Sequence, residues 1–414
     1  MGDLGASEMC ERARLIDIAS LRKGTEPGRA SYCAPPEGIR FLRVGDISGK
    51  VDNPVNTTAE NVVLCDRLDL LMSFDGTPGI VARGFEGAIS SGIRIIEPNE
   101  RKVLRDYLYF YLQTDFVQQT IRQYSTGATL VHASKAIPYI EVMLPLLEVQ
   151  RRIATILEKA EALRRRREQA NQLTNKIIQS FFLKIFGDPV SNKNHWPVKT
   201  IREVAEKVSD GPFGSNLMTK HYTAEGVRVI RLQNIGVGEF IDDDKVFISL
   251  EHYSKLKKHT CIPGDVIVGT LGDPNLRACI LPDYVEVAIN KADCVQVRPN
   301  KNFVNAEYLC HLLNTPQMLR LASSYIHGET RTRISMSQVA SLQIPVPPSS
   351  IQEEYAQTMQ HFGHVHANQK RSSEVINGLF HSLMHKAFRG QLALGESETS
   401  KPNKPLIQRS LNPQ

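Results

Sequence analysis

The side chains of this sequence best placed for chemistry suit the holding of nucleic acid better than the breaking of bonds. Arg228 and Arg231 flank Gln233-Asn234, and Arg40 and Arg43 stand at the same spacing before Asp46. Arginine can bond guanine O6 and N7 together, and Asn or Gln can do the same with adenine N6 and N7. Arg231, Gln233 and Asn234 are therefore chemically suitable base readers. A structural reading competes with this one. An arginine repeated in two places pairs with a domain carboxylate or serves the backbone, because readers of two different sequences should differ. Ser209-Asp210-Gly211-Pro212-Phe213-Gly214-Ser215-Asn216 is a glycine-rich loop, followed by Lys220 and His221. Gly211 and Gly214 let backbone N–H groups approach a phosphate, and Ser215 or Asn216 can donate to its oxygens. A plain turn before a strand would look the same. Lys257 and Lys258 form a basic patch that fits either phosphates or a solvated face. His327-Gly328-Glu329-Thr330-Arg331-Thr332-Arg333 pairs a turn with two arginines, and its counterpart runs from Thr126 to Lys135. Nucleic-acid contact is expected at Arg331, Arg333, His132 and Lys135.

Motifs for bond-breaking chemistry are missing. The sequence holds no Gly-x-x-x-x-Gly-Lys-Ser/Thr loop for ATP. It also lacks the Asn/Asp-Pro-Pro-Tyr/Phe segment of amino-methyltransferases. Pro282-Asp283-Tyr284-Val285-Glu286-Val287 has the outline of a nuclease motif, but Ala288 holds the lysine position, so it reads as a turn. His381 and His385 stand four apart on a helix with no third metal ligand in sight, which favours a polar face. The chain is expected to be non-catalytic, with no cofactor of its own.

Such loops need elements to position them, and those elements occur twice. The segment from Gln150 lies without a gap on the segment from Gln352, a shift of 352 − 150 = 202 residues that holds to Phe186 and Phe388. Ile153 falls on Tyr355, Leu157 on Met359, Leu163 on Val365, Leu173 on Val375, Ile178 on Phe380 and Phe182 on Met384. Apolar residues recur at three-and-four spacing from Val149 to Phe186 with no internal glycine or proline, which predicts a helix stopped by Gly187-Asp188-Pro189. A second helix is predicted from Ile351 to Phe388, with Glu353 and Glu354 in its first turn, where the macrodipole favours them. Each should be ~55 Å long. Helices of this length usually pair, since neither could bury its stripe alone. Arg40 to Ile47 parallels Arg228 to Ile235 as strands, and Tyr107 to Thr114 parallels Tyr308 to Thr315 as short helices. Between these landmarks the pattern is of short strands broken by turns, giving two mixed α/β domains in an α+β chain.

A chain of 414 residues can hold two or three domains. A hydrophobic content of 41% and a charged content of 23% are ordinary for a soluble protein. No apolar run reaches the ~18 residues of a membrane span. The N-terminus lacks a secretory pattern, and seven scattered cysteines fit reduced thiols, so a cytoplasmic setting is expected. A net charge of +6 permits a nucleic-acid partner without proving one.

These features together resemble the specificity subunit of type I restriction–modification systems. The likeness rests on Gln150-Arg151-Arg152-Ile153-Ala154 through Arg165, Ser180-Phe181-Phe182, Phe186-Gly187-Asp188-Pro189, Ser209 to Ser215, Ile344-Pro345-Val346-Pro347-Pro348 with Gln352-Glu353, and Ala387-Phe388-Arg389-Gly390. It covers about Leu15 to Leu392. The resemblance implies two target recognition domains, each reading one half of a split DNA sequence. It implies long helices paired as an antiparallel coiled coil that sets the half-site spacing. It implies two methyltransferase subunits docked on this chain and restriction subunits joining them, with S-adenosylmethionine, ATP and Mg bound in those partners. In place of the Asp-Gly-Pro-Phe-Gly loop, the first domain carries Leu21-Arg22-Lys23-Gly24-Thr25-Glu26-Pro27, so the two domains should grip DNA differently.

The expected layout is a first recognition domain over 1–148, a spacer helix over 149–187, a second recognition domain over 188–348, a second helix over 349–392 and a disordered tail over 393–414. A coil of ~55 Å matches ~16 base pairs at ~3.4 Å each. The run Arg164 to Arg167 has three readings: a solvated face, a face toward the DNA spacer, or a docking surface. The rival from another class is a coiled-coil scaffold that binds proteins only, and a fused enzyme is a third reading disfavoured by the missing motifs.

Overall fold

The computed structural model describes residues 11–49, 53–127, 131–272, 274–323 and 333–392. Arg331 and the expected tail over 393–414 lie outside the described residues. The chain divides into two compact units. Residues 1–166 and 372–414 form the first, and residues 167–371 form the second. Both boundaries cut the long helices, Leu147–Phe186 and Ser349–Phe388, so each unit holds half of each helix. Among the described residues no helix is long and apolar enough to cross a membrane.

The two units share one strand plan. In the first, a four-stranded antiparallel sheet runs in the order Ala19–Lys23, Ile93–Pro98, Leu70–Ser73, Val81–Ala82. In the second, the order is Ala205–Ser209, Cys294–Pro299, Val266–Gly269, Ala278–Ile280. Each unit adds a five-stranded sheet containing one parallel pair, Ile39–Leu42 with Gly87–Ile89 in the first and Val227–Ile230 with Ala288–Asn290 in the second. A two-stranded sheet joins Glu11–Arg14 to Glu141–Leu144, and another joins Val198–Thr200 to Gln343–Pro345. These registers place Phe41 on Val229, an offset of 188, and Ala88 on Ile289, an offset of 201. The residues that account for the difference lie in connecting loops, including the turn that carries Lys257 and Lys258.

Each unit completes its core with the far end of a helix. In the first, Tyr107, Phe110, Ile153, Leu157, Phe380 and Met384 share one buried cluster, and the Tyr107 ring lies 5.5 Å from that of Phe388. In the second, Phe186 lies 4.7 Å from Tyr308 and 5.1 Å from Tyr355. The helix halves of the second unit are antiparallel. Phe181 meets Phe362, and Thr174 accepts a hydrogen bond from Gln369 at 3.0 Å. Burying such aromatic side chains contributes about 1.5–3 kcal/mol each. The first helix stops where expected, because Gly187 takes φ +78° and donates back to the Leu183 carbonyl.

Part of the expected stripe faces water instead. Leu163, Leu173 and Ile177, with their counterparts Val365, Val375 and Leu379, are all exposed. Two helices alone can cover only one side of each other, and the short helices Arg105–Tyr111 and Ala306–Leu313 pack on the helix ends.

Gln150 and Gln352, where the repeat begins, are buried and equivalent. Gln150 accepts from Leu104 N at 2.9 Å and donates to the carbonyls of Lys102 and Pro145. Gln352 accepts from Asn305 N at 3.0 Å and donates to Phe303 and Pro347. Each glutamine ties the start of a long helix to the start of the short helix, Arg105–Tyr111 or Ala306–Leu313.

A side chain at Gly211 would lie 2.2 Å from the Lys291 carbonyl carbon, and one at Gly24 would lie 2.2 Å from the Ser90 oxygen. The first domain thus keeps the same close approach with a different loop. Gly211→Ala is expected to cost about 2–3 kcal/mol through overpacking against backbone that cannot yield. Urea unfolding measures this, and an unchanged midpoint contradicts it.

Candidate nucleic-acid interface

The paired arginines serve the fold first. In the first unit, Arg40 and Arg43 both hold the buried carboxylate of Asp46, which also accepts from Arg43 N at 2.9 Å. Arg40 further donates to the Val55 carbonyl at 2.7 Å. In the second unit Asn234 replaces Asp46 and accepts from Arg231 N at 2.9 Å. Its amide donates to the carbonyls of Ile241 and Asp244, and it is wholly buried. Asn234 is thus withdrawn as a base reader. Arg228 is withdrawn as well: it is 6% exposed, paired with Asp242 at 2.9 Å and set over the Phe247 ring. Burial pulls its guanidinium below the usual range, with Asp242 opposing. Arg231 and the exposed Gln233 both bind Asp244, so Asp244 would have to release them before they could meet a base.

The glycine loop collects most of the remaining cations. Pro212, Gly214, Lys220 and Lys291 line a shallow groove of about 590 Å³. Gly214 stands at φ +60° with open space around it. Ser215, Asn216 and Lys220 are exposed. The Asn216 carbonyl accepts from His252, whose ring lies 4.2 Å from that of His221. Lys291 and Arg231 both approach the Tyr222 ring, at 5.6 and 5.9 Å. Arg333 lies 5.8 Å from the Phe213 ring and pairs with Asp293 at 2.8 Å. Lys257 and Lys258 are exposed on a turn bound to the same loop, because His259 bonds the Asp210 carbonyl at 2.7 Å. Burial lowers the pKa of His259. Lys291 and Tyr222 escape a motif-based reading. The signal available for Lys291 was its place opposite Gly211, which only the sheet register reveals.

In the first unit, His132 bonds Asp75 at 2.7 Å and Lys135 is exposed. Ala133 N bonds the Phe74 carbonyl, as Ile334 N bonds that of Thr270, so His132 and Arg333 occupy equivalent positions. Ser90 stands where the second unit has Lys291. Among the described residues no group of three His, Cys, Asp or Glu side chains could hold a metal.

The sequence model of the type I restriction modification DNA specificity domain matches residues 9–175 and again residues 193–377. The chain belongs to that family. Each match takes in one specificity domain and most of the long helix that follows it, so the family domain is present twice. The chain is 21% identical over 411 residues to the type I restriction enzyme MjaVIII specificity subunit of Methanocaldococcus jannaschii, covering 95% of each. It is 21% identical over 329 residues to the MjaIX specificity subunit of the same organism, covering 74% of this chain and 73% of that one. The fold is that of a type I restriction–modification S subunit from M. genitalium, with a TM-score of 0.53 at 14% identity over 94% of this chain and 98% of that one. The equivalent loop positions of the two specificity domains therefore differ within one family fold: lysine against serine, arginine against histidine.

Proposed function

We propose that this chain is the DNA-recognition subunit of a type I restriction–modification complex, with each specificity domain contacting one half of a split duplex target. One observation carries the reading: the same fold is built twice with different side chains at equivalent loop positions. In the second domain Lys220, Lys291, Lys257, Lys258 and Arg333 meet phosphates beside the Gly211–Gly214 loop, and Arg231 and Gln233 reach base edges once Asp244 releases them. In the first, Arg43, His132 and Lys135 play the corresponding part, with Arg40 holding Arg43's partner Asp46 in place.

The chain itself is non-catalytic in this proposal. S-adenosylmethionine, ATP and Mg bind in partner subunits. The exposed apolar residues suit the docking of two methyltransferase subunits, because the set occurs once per unit. Leu163, Val375 and Leu379 belong to the first unit, and Leu173, Ile177 and Val365 to the second. Restriction subunits join through that assembly.

The test exchanges residues 190–340 for the equivalent region of a relative and maps the methylated motif. One half of the motif should change; a change in both halves refutes the two-reader model. In the parent complex, duplex affinity should fall steeply with salt. Lys220→Ala and Lys291→Ala should each reduce the slope of log K against log salt by about one. A salt-independent affinity would favour the protein-only scaffold.

A further inference from the structure

The two units differ sharply where the short helix meets the long one. In the first unit Arg83 is an ionic hub. It donates to Asp106 at 2.7 Å, to Glu158 at 3.2 Å and to Glu161 at 3.2 Å. Its guanidinium lies 4.2 Å over the Tyr109 ring, and Tyr109 donates to Glu161 at 2.8 Å. The strand register assigns the counterparts. Leu71 faces Ala82 as Ile267 faces Cys279, so Ile280 takes the place of Arg83. Along the helices Glu307 replaces Asp106, Cys310 replaces Tyr109, Gln360 replaces Glu158 and Gly363 replaces Glu161.

The guanidinium and its large neighbours are thus gone, and a cavity of about 520 Å³ remains, lined by Ile280, Glu307, His311, Gln360, Gly363 and Phe362 among others. A side chain at Gly363 would meet nothing within 4 Å. One carboxylate stays behind. Glu307 has no ion pair or hydrogen bond among the described residues, and burial raises its pKa. The other titratable groups lining the cavity are Glu239, His311, His366 and Lys370. Lys370 is paired with Glu239, His366 lies on the long helix, and His311 bonds Tyr355 with its pKa lowered by burial to about 4.

We propose that this cavity binds a guanidinium group, seated where Arg83 sits in the first unit and paired with Glu307. A planar, weakly hydrated cation fits a cavity whose lining combines amide groups such as Gln360 with the apolar side chains of Phe182, Met359 and Phe362. The group comes either from a free guanidino compound or from an arginine of a partner polypeptide, and the chemistry of recognition is the same.

The experiment titrates the full chain with agmatine by calorimetry, with butylamine as the control amine. Saturable binding of agmatine is expected, weakened about tenfold or more in Glu307→Gln, since a charge-assisted bidentate contact is lost. The double variant Ile280→Arg/Gly363→Glu should rebuild the hub from within, abolish the agmatine heat and melt no lower than the parent. A parent chain that takes up no agmatine, or a Glu307→Gln chain that binds it equally well, overturns the proposal. So does a double variant that folds but melts lower. Adding agmatine to the complex with its methyltransferase partner separates the sources: displacement of the partner assigns the group to a partner arginine, and undisturbed assembly with retained agmatine heat assigns it to a free ligand.

Discussion

Gln352→Glu is expected to cost the second unit about 4 kcal/mol at neutral pH, a large share of the stability of an ordinary domain. The glutamine is 2% exposed, and both its amide hydrogens and its oxygen are engaged. Its amide donates to the carbonyls of Phe303 and Pro347, both at 2.8 Å, while its oxygen accepts from Asn305 N. A carboxylate keeps the acceptor but turns a second oxygen, with charge, toward two carbonyl oxygens in a dry site. Protonation restores one donor. The folded-state pKa of the new carboxyl must then lie above its unfolded value, so stability is retained at low pH and lost as pH rises through the folded pKa. Urea midpoints at pH 4 and pH 7 measure the effect. A variant as stable as the parent at pH 7 would show that the site is open to water. Gln150→Glu should do the same to the first unit through Leu104, Lys102 and Pro145. The repeat begins at these two residues because both fasten a helix start to a domain, and no smaller or charged residue makes all three bonds.

That role was not legible in the sequence, although the residue pair was. The long helices could be read because periodicity and the Gly187 stop are local properties, and both copies perform one task. The domains could be read only as fragments. Their alignment slips from an offset of 188 at Phe41 to 201 at Ala88, and loop insertions carry no periodic signal. The spacing of Arg40, Arg43 and Asp46 suggested base reading or a structural pair, and burial decided for the pair at Asp46 and Asn234. Leu163 and Leu173 had the right period for a core and yet are exposed, because a period shows that a helix has a face and not what covers it. Lys291 and Arg83 were invisible: one becomes notable only beside Gly211, the other only through the carboxylates gathered round it.

The largest functional change is expected from lengthening both long helices together. Thr174 and Gln369 face each other in the second unit, so a helical insert placed after Thr174 and a matching one before Gln369 extend the pair without shifting its register. Twenty-five residues in each add about 37 Å at 1.5 Å per residue and close to seven whole helical turns, which preserves the direction of both ends. One turn of duplex is about 34–36 Å and 10–10.5 base pairs, so the second half-site returns to the same face of the DNA. The methylated motif should then keep both halves and gain a gap longer by about ten base pairs. Seven residues in each helix add about 10 Å, or about three base pairs. That insert leaves the second half-site roughly 100° round the duplex, and methylation should weaken strongly at every gap. Sequencing of methylated DNA from cells carrying each variant reads the outcome, with circular dichroism confirming that the added helix has formed. If the long insert folds and methylates the original motif, the helices do not measure the distance between half-sites.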